Sequence, residues 1–166
     1  MSEPMSCCRE GGYCDRCDLL VDLPGLRVVV VERDARDRLV VTVESPPGPM
    51  GCPSCGVVAV GHGRDAVELV DAPAFGRPVR IVWRKRRWLC PDPGCPVGSF
   101  VEQDERVAAP RSRLTARACW WAIGQIGREH ASVNGLRRQL GCGWRTVWET
   151  IKPLLKVRGF FEGVDF

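Results

Sequence analysis

The chain has 166 residues, of which 45% are hydrophobic and 27% charged, a composition typical of a folded globular protein. No apolar stretch is long enough to cross a bilayer. Residues 1–8 lack the basic start and apolar core of a secretory signal. We therefore expect a cytoplasmic protein without a membrane partner.

Charge is divided unevenly along the chain. Residues 1–71 carry seven Lys and Arg against twelve Asp and Glu, whereas residues 72–158 carry seventeen against six. Such a basic half is typical of nucleic-acid binding, although a solvated basic surface has the same composition. The chain also has ten cysteines, which would stay reduced in the cytoplasm. Metal binding is therefore favoured over a disulfide framework.

The N-terminal third predicts a leader and a hairpin. Residues 1–22 are expected to form an irregular, cysteine-rich leader. The β-branched segments Leu26–Glu32 and Leu39–Glu44 predict the two strands of a hairpin within residues 23–50. The Pro/Gly-rich stretch Ser45–Gly51 ends this region as a linker or sharp turn. Three short strands are then predicted, at Val57–Val60, Ala66–Val70 and Val79–Trp88.

The strongest local signal is a set of two cysteine pairs, Cys52-Pro-Ser-Cys55 and Cys90-Pro-Asp-Pro-Gly-Cys95, with 34 residues between them. Zinc takes four thiolates at tetrahedral corners, and a two-residue spacer lets one knuckle offer both of its sulfurs. We predict a closed structural site for one zinc ion in a ribbon at residues 51–110. Buried free cysteines or a redox pair are the alternatives, but a redox pair needs a βαβ context that this pattern lacks.

A second cysteine group lies in the leader and consists of Cys7, Cys8, Cys14 and Cys17. The two-residue spacing of Cys14 and Cys17 favours another zinc site. Cys7 and Cys8 are adjacent, however, and neighbouring side chains rarely converge on one tetrahedral ion without strain. Whether this group binds a second metal stays open.

A run of cations lies within the predicted ribbon, just before its second cysteine pair, and Ala72–Leu89 contains no acidic residue. Consecutive cations favour an anionic partner such as the phosphates of DNA, although they could simply be solvated. The residues predicted to contact phosphates are Arg80, Arg84, Lys85, Arg86 and Arg87. The tryptophans beside them could stack on bases. Trp83 lies on the apolar face of its strand, which favours a core position for it.

From residue 111 the pattern becomes helical. Three helices are predicted, at Leu114–Glu129, Val133–Leu140 and Trp144–Val157, with Ser112 and Ser132 as N-caps of the first two. A Gly-Cys-Gly turn joins the last two helices, as in a helix-turn-helix, whose second helix enters the major groove. A plain three-helix bundle is the alternative. Pro153 should kink or interrupt the last helix.

The helix-turn-helix prediction assigns roles to five polar residues. Bases are usually met by the first turns of the second helix, so Arg145, Thr146 and Glu149 are the candidate readers. Arg binds guanine bidentately, and Glu accepts from the amino group of cytosine. Arg137 and Arg138, on the preceding helix, are better placed for phosphates.

The order of these motifs resembles the ISL3 family of bacterial insertion-sequence transposases. The resemblance covers roughly Leu23–Leu155, and the segments that carry it are GCPSCGVVAVGHGRD, VRIVWRKRRWLC, LTARACWWAIGQIGREHASVNGLRRQL and WRTVWETIKPLL. It implies a zinc ribbon and a helix-turn-helix that recognise the terminal inverted repeats of the element. The family continues into a ribonuclease-H-like domain whose Asp, Asp and Glu bind two divalent metals. The tail at residues 159–166 stops near the position of the first of these acids, so the resemblance implies a truncated transposase without cleavage activity of its own.

Together these observations predict an α+β fold, with a hairpin and zinc ribbon followed by a three-helix domain at residues 111–158. The expected function is binding of double-stranded DNA. The alternative is a protein-interaction module that pairs with a full-length transposase, or with another copy of the chain, and inhibits transposition. A stand-alone enzyme is disfavoured, because no phosphate loop, His-rich site or complete set of acids is present.

Overall fold

The computed structural model describes residues 12–157 and contains four helices and five strands in that range. They are α1 (Asp15–Val21), β1 (Arg27–Arg33), β2 (Leu39–Glu44), β3 (Val60–Ala74), β4 (Arg77–Leu89), β5 (Ser99–Val101), α2 (Ala116–Glu129), α3 (Val133–Leu140) and α4 (Trp144–Val157). The expected combination of helices and a sheet is confirmed. Cys7, Cys8 and the tail at residues 159–166 lie outside the described residues. No helix within residues 12–157 has the length and apolar content to span a membrane.

The five strands belong to one sheet, in the order β1-β2-β4-β3, with β5 pairing antiparallel to β4. The predicted hairpin is confirmed, because β1 and β2 are neighbours. A tight turn at Phe75 and Gly76 connects β3 to β4, and both residues have positive φ, at 52° and 71°. Two successive positive φ angles are the signature of a hairpin turn that matches the twist of its strands.

Two parts of the predicted element order are wrong. The three short strands of the ribbon are instead the two long strands β3 and β4, of 15 and 13 residues. β3 runs through Gly61 and Gly63, which lie between two of the predicted strands, because pairing with a partner strand overrides weak local propensity. The leader is also not wholly irregular, since it contains the seven-residue helix α1.

The chain divides into two compact units that interleave along the sequence. Of the described residues, unit 1 contains 12–32, 41–68 and 82–104. Unit 2 contains 33–40, 69–81 and 105–157. The strands β3 and β4 therefore contribute residues to both units.

In unit 1, α1 is tied to β1 by charge. Arg27 forms ion pairs with Asp15 and Asp18 at 2.7 Å each. Asp18 also accepts a hydrogen bond from the backbone N–H of Val28 at 2.6 Å. Because α1 is too short to be stable by propensity alone, these contacts and the acidic residues in its first turn explain its presence.

In unit 2, the three C-terminal helices share one hydrophobic core. Its fully buried members, which come from β3, from the approach to α2 and from the three helices, are Val70, Leu114, Ala118, Cys119, Ala122, Ile123, Leu136, Leu140, Val147, Ile151 and Leu155. On α4 the buried positions Val147, Ile151 and Leu155 recur every four residues, so one stripe of the helix faces the core. Pro153 lies inside this helix without ending it.

The helix starts agree with the sequence in one case and differ in another. Ser132 caps α3 as predicted, since its side chain accepts from the N–H of Gly135. Ser112 does not cap α2. Thr115 takes that role instead and accepts from the N–H of Ala118 at 3.1 Å.

A buried carboxylate joins the start of α2 to β3. Asp71 is 1% exposed and accepts from the Thr115 hydroxyl at 2.5 Å. The Arg117 guanidinium donates to the same carboxylate through Nε and Nη2. Its Nε lies 2.9 and 3.0 Å from the two carboxylate oxygens. The backbone of Val70 also pairs in parallel with Leu114. The first helix of unit 2 therefore starts from a fixed point on β3.

We expect Asp71→Asn to lower the free energy of unfolding by about 2–3 kcal/mol, because it removes a charged acceptor that two buried or half-buried donors share. The measurement is urea denaturation of the zinc-loaded protein. The matched control is Asp37→Asn, since Asp37 pairs with Arg77 at 3.0 Å but its side chain is 63% exposed. The control should cost less than about 1 kcal/mol. Equal effects of the two substitutions would contradict the role given to Asp71.

Candidate metal centre and nucleic-acid interface

Two backbone knuckles present the four predicted zinc ligands. In the first, the N–H of Cys52 donates to Val57 at 2.8 Å, and the N–H of Gly56 donates back to Cys52 at 2.9 Å. Gly56 adopts a φ of 74°, which closes the knuckle and favours glycine. In the second, the N–H of Cys90 donates to Gly98 at 2.8 Å, where the chain turns into β5. Local backbone hydrogen bonds thus contribute to the shape of each knuckle in addition to any metal ion.

The four sulfur atoms converge on one point. Cys52 Sγ lies 3.6 Å from Cys95 Sγ, and Cys55 Sγ lies 3.5 Å from Cys90 Sγ. All four atoms lie within 4.8 Å of one another. A tetrahedral ion with Zn–S bonds of about 2.3 Å separates its sulfurs by about 3.8 Å, so the arrangement fits zinc. The four cysteines form a structural zinc site with no open position for a substrate.

The charge state of the thiols also favours a cation. Backbone N–H groups of Cys55 and Ser54 point at Cys52 and lower its thiol pKa to about 7. At Cys90 the N–H of Asp92 acts in the same direction, but desolvation and the neighbouring sulfurs outweigh it and raise the pKa to about 12. The site ionises one sulfur readily and resists further negative charge. A divalent cation removes that resistance.

Residues 48–95 match the family model described as the zinc-finger of transposase IS204/IS1001/IS1096/IS1165, the zinc ribbon of ISL3 transposases. This segment resembles a transposase zinc ribbon. It includes all four ligands. No curated protein and no solved structure matches the chain. The match supports the interpretation that this segment is part of the N-terminal region of an insertion-sequence transposase. A zinc ribbon of this kind is consistent with DNA binding.

Two cations of the run on β4 form ion pairs inside unit 1. Arg84 pairs with Glu44 at 3.3 Å, and Arg87 pairs with Asp65 at 3.6 Å. Both arginines are exposed, with side chains 45% and 44% accessible. The Arg87–Asp65 pair is exposed on both sides and therefore weak, so the Arg87 guanidinium can exchange a carboxylate for a phosphate. Glu44, the partner of Arg84, is only 14% exposed, so the Arg84 pair is less open to such an exchange.

The other two cations of the run have internal partners. Lys85 donates to the side chain of Gln103 at 2.5 Å. Arg86 donates to the carbonyls of Ser45 at 3.0 Å and Gly48 at 3.2 Å, and also to Pro46. Arg86 therefore holds the proline-rich linker that leads into the first knuckle. Its first role is structural.

Two tryptophans accompany these cations. Trp83 and Trp88 are 1% and 6% exposed, so both pack in the protein interior and neither presents a face to a base. The core interpretation of Trp83 is confirmed. Lys85 Nζ lies 4.2 Å from the centre of the Trp83 ring, and the Arg86 guanidinium lies 5.6 Å from that of Trp88. The rings thus help to hold the two internally bonded cations.

Arg80, the remaining cation predicted to contact phosphates, is buried in unit 2 with only 3% of its surface exposed. Its guanidinium donates to the backbone carbonyls of Val79, Leu140 and Gly141. In this position it faces the turn between α3 and α4 rather than solvent.

The predicted readers of α4 lie at the surface of unit 2. Arg145 and Glu149 are exposed, and Thr146 is half-buried. On α3, Arg138 is exposed, while Arg137 is half-buried and donates to Asn134 at 2.6 Å.

The three predicted readers line one open cavity of about 700 Å³ in unit 2. The same cavity is lined by Trp120, Arg111 and Arg113, which the sequence interpretation did not select. Trp120 is 48% exposed although it lies in an apolar stretch. The signal that could have found the arginines is their position just before α2. It becomes informative only when that segment is known to lie beside α4.

Other cysteines do not join the cluster. Among residues 12–157, the quartet is the only group of Cys, His, Asp or Glu side chains placed to share a metal ion. Cys119 belongs to the core of unit 2, where burial raises its thiol pKa to about 11. Cys142 packs against that core and is half-buried.

We expect one zinc ion per chain, and Cys52→Ser should abolish stoichiometric zinc and unfold the ribbon, because three thiolates hold the ion less tightly and the ribbon depends on it. Elemental analysis of the purified protein and its variant measures this directly. Cys142→Ser is the matched control and should keep its zinc. Full zinc retention in Cys52→Ser would rule out the assigned ligand set, and two ions per wild-type chain would point to the N-terminal cysteines.

Proposed function

We propose that this chain binds duplex DNA at the terminal inverted repeats of an insertion element, as the DNA-recognising front part of a transposase. The observation that carries the proposal is the four-sulfur ribbon in a segment that resembles the transposase zinc-finger. The excess of cations in residues 72–158 supports it. On this proposal the protein acts where the element's DNA lies, in the bacterial cytoplasm.

We assign base reading to α4, as the second helix of a helix-turn-helix formed with α3. Three features support the assignment: a glycine turn between the helices, a buried stripe on α4, and polar side chains near its start. Arg145 offers a guanidinium fork that suits the two acceptors of guanine, and Glu149 can accept from cytosine. Thr146 lies between them and can bond to either type of base.

We assign phosphate contacts to a separate set of arginines. In unit 2 these are Arg137 and Arg138 on α3, together with Arg113 beside the cavity. In unit 1 they are Arg87, whose ion pair with Asp65 is exposed, and Arg84, whose own side chain is 45% exposed. The sequence also predicted phosphate contacts for Lys85 and Arg86. Both contribute mainly by stabilising the ribbon that contains Arg84 and Arg87.

Strand cleavage is not part of the function proposed for residues 12–157. The chemistry assigned to this region is recognition, with zinc as a structural ion. An inhibitory role follows from the same binding, because a protein that occupies the ends of an element blocks them for an active transposase. The alternative in which the chain acts only by pairing with a full-length transposase predicts co-purification without DNA affinity.

The test is selection of bound sequences from a random duplex library by the zinc-loaded protein, followed by titration of the inverted repeats that flank the gene. We expect enrichment of a sequence present in those repeats. Arg145→Ala should reduce the preference for the repeat over random DNA by about 10- to 100-fold, since one bidentate base contact contributes about 1–3 kcal/mol of discrimination. Arg138→Ala should weaken both DNAs alike and reduce the salt slope by about 0.9.

The control cation is Arg36, an exposed arginine in the turn between β1 and β2 with no assigned contact to DNA. Arg36→Ala should leave affinity, preference and salt slope unchanged. Binding without any sequence preference at near-physiological salt would refute the recognition proposal. A loss of preference in Arg36→Ala equal to that in Arg145→Ala would refute the assignment of α4.

A further inference from the structure

The turn between α3 and α4 has a defined hydrogen-bond pattern. The N–H of Cys142 donates to Arg137 at 3.1 Å, and the N–H of Gly141 donates to Arg138 at 3.2 Å. Gly141 has a φ of 62°. These are the two bonds and the left-handed residue of a Schellman motif, which ends a helix and sets the direction of the chain that follows.

The Schellman motif uses the carbonyls of Arg137 and Arg138 but not those of Leu140 and Gly141. Arg80 supplies donors to both of the latter, with Nη1 3.0 Å from Leu140 O and Nη2 2.5 Å from Gly141 O. Its Nη1 also donates to the carbonyl of Val79, beside it on β4, at 3.0 Å. One planar guanidinium therefore connects the strand to the two residues from which the chain leaves α3.

Electrostatic attraction and side-chain packing both favour this position of the α3–α4 turn against β4. The last carbonyls of a helix carry its negative dipole end, so a cation is favoured there, and burial strengthens the interaction. The turn also touches the strand directly. A Cβ on Gly141 would lie 2.9 Å from the Cβ and Cγ of Pro78, closer than real side chains approach. The turn therefore packs directly against this part of β4.

We infer that Arg80 is a positioning residue, which holds the α3–α4 turn so that α4 presents Arg145, Thr146 and Glu149 to DNA. The inference rests on the proposed DNA-binding function and adds to it a residue that never touches the nucleic acid. Arg80 is 3% exposed, so its positive charge is not available as a phosphate contact. It therefore acts on sequence preference rather than on the electrostatic part of binding.

The inference makes one prediction for the free, zinc-loaded wild type. By NMR, the guanidinium protons of Arg80 should exchange with water at least ten times more slowly than those of the exposed Arg138. The Gly141 and Cys142 amides should also be protected. Arg80 protons that exchange as fast as those of Arg138 would overturn the inference. Because no DNA is present, this measurement stands even if the recognition proposal fails.

The second measurement uses DNA and the variants Arg80→Lys and Gly141→Ala. Lysine keeps the charge but cannot bridge two carbonyls as a fork, and alanine pushes the turn away from Pro78. Both variants should reduce the preference for the selected sequence at least tenfold and leave the salt slope unchanged. Arg138→Ala, the matched arginine control, should lower the slope and keep the preference.

The results distinguish a positioning role of Arg80 from a direct contact with DNA. A lower salt slope in Arg80→Ala with unchanged preference would make Arg80 a direct electrostatic contact and overturn the inference. Full retention of preference in Arg80→Lys would overturn it as well. If Arg80→Lys fails to fold, Gly141→Ala and the wild-type exchange rates decide. If the wild type shows no sequence preference, the proposed function fails, and the exchange rates alone test how Arg80 holds the turn.

Discussion

The convergence of four cysteine sulfurs on one ion is the constraint from which the rest of unit 1 follows. The two knuckles are separated by 34 residues of sequence, and most of these form the long strands β3 and β4. Four thiolates within 4.8 Å of one another repel, so without a cation the four cysteines cannot all ionise readily. The same ion that neutralises them closes the ribbon, and a ribbon of this size has too small a core to fold without such a closure.

Several cations of this basic protein form contacts within the protein itself. Arg117 holds Asp71 at the start of α2, Arg86 holds the linker before the first knuckle, and Arg80 holds the turn after α3. Each of these side chains reaches backbone carbonyls or a buried carboxylate far away in sequence. The net charge of the chain thus overstates the cations available to DNA. On the proposed function, the arginines assigned to DNA are those at the surface of α3, α4 and β4, together with Arg113.

Sequence patterns predicted the elements with strong local signals. The β-branched hairpin, the Ser132 cap and the apolar stripe of α4 depend on neighbours in sequence, and the knuckles depend on cysteine spacing. The patterns gave a wrong prediction, or none, where contacts between residues distant in sequence determine the structure. Arg80 counts as one more exposed cation until Leu140 is known to lie beside it. Thr115 replaces Ser112 as a cap because Asp71 receives its hydroxyl, and no spacing rule connects residues so far apart.

The most direct test of the central claim is NMR of the protein loaded with NMR-active cadmium in place of zinc. Scalar couplings between the metal and the cysteine β-protons identify ligands one by one. We predict a single cadmium resonance coupled to Cys52, Cys55, Cys90 and Cys95 and to no other residue. Two resonances that divide these four cysteines, or couplings that omit one of the two pairs, would contradict a shared site.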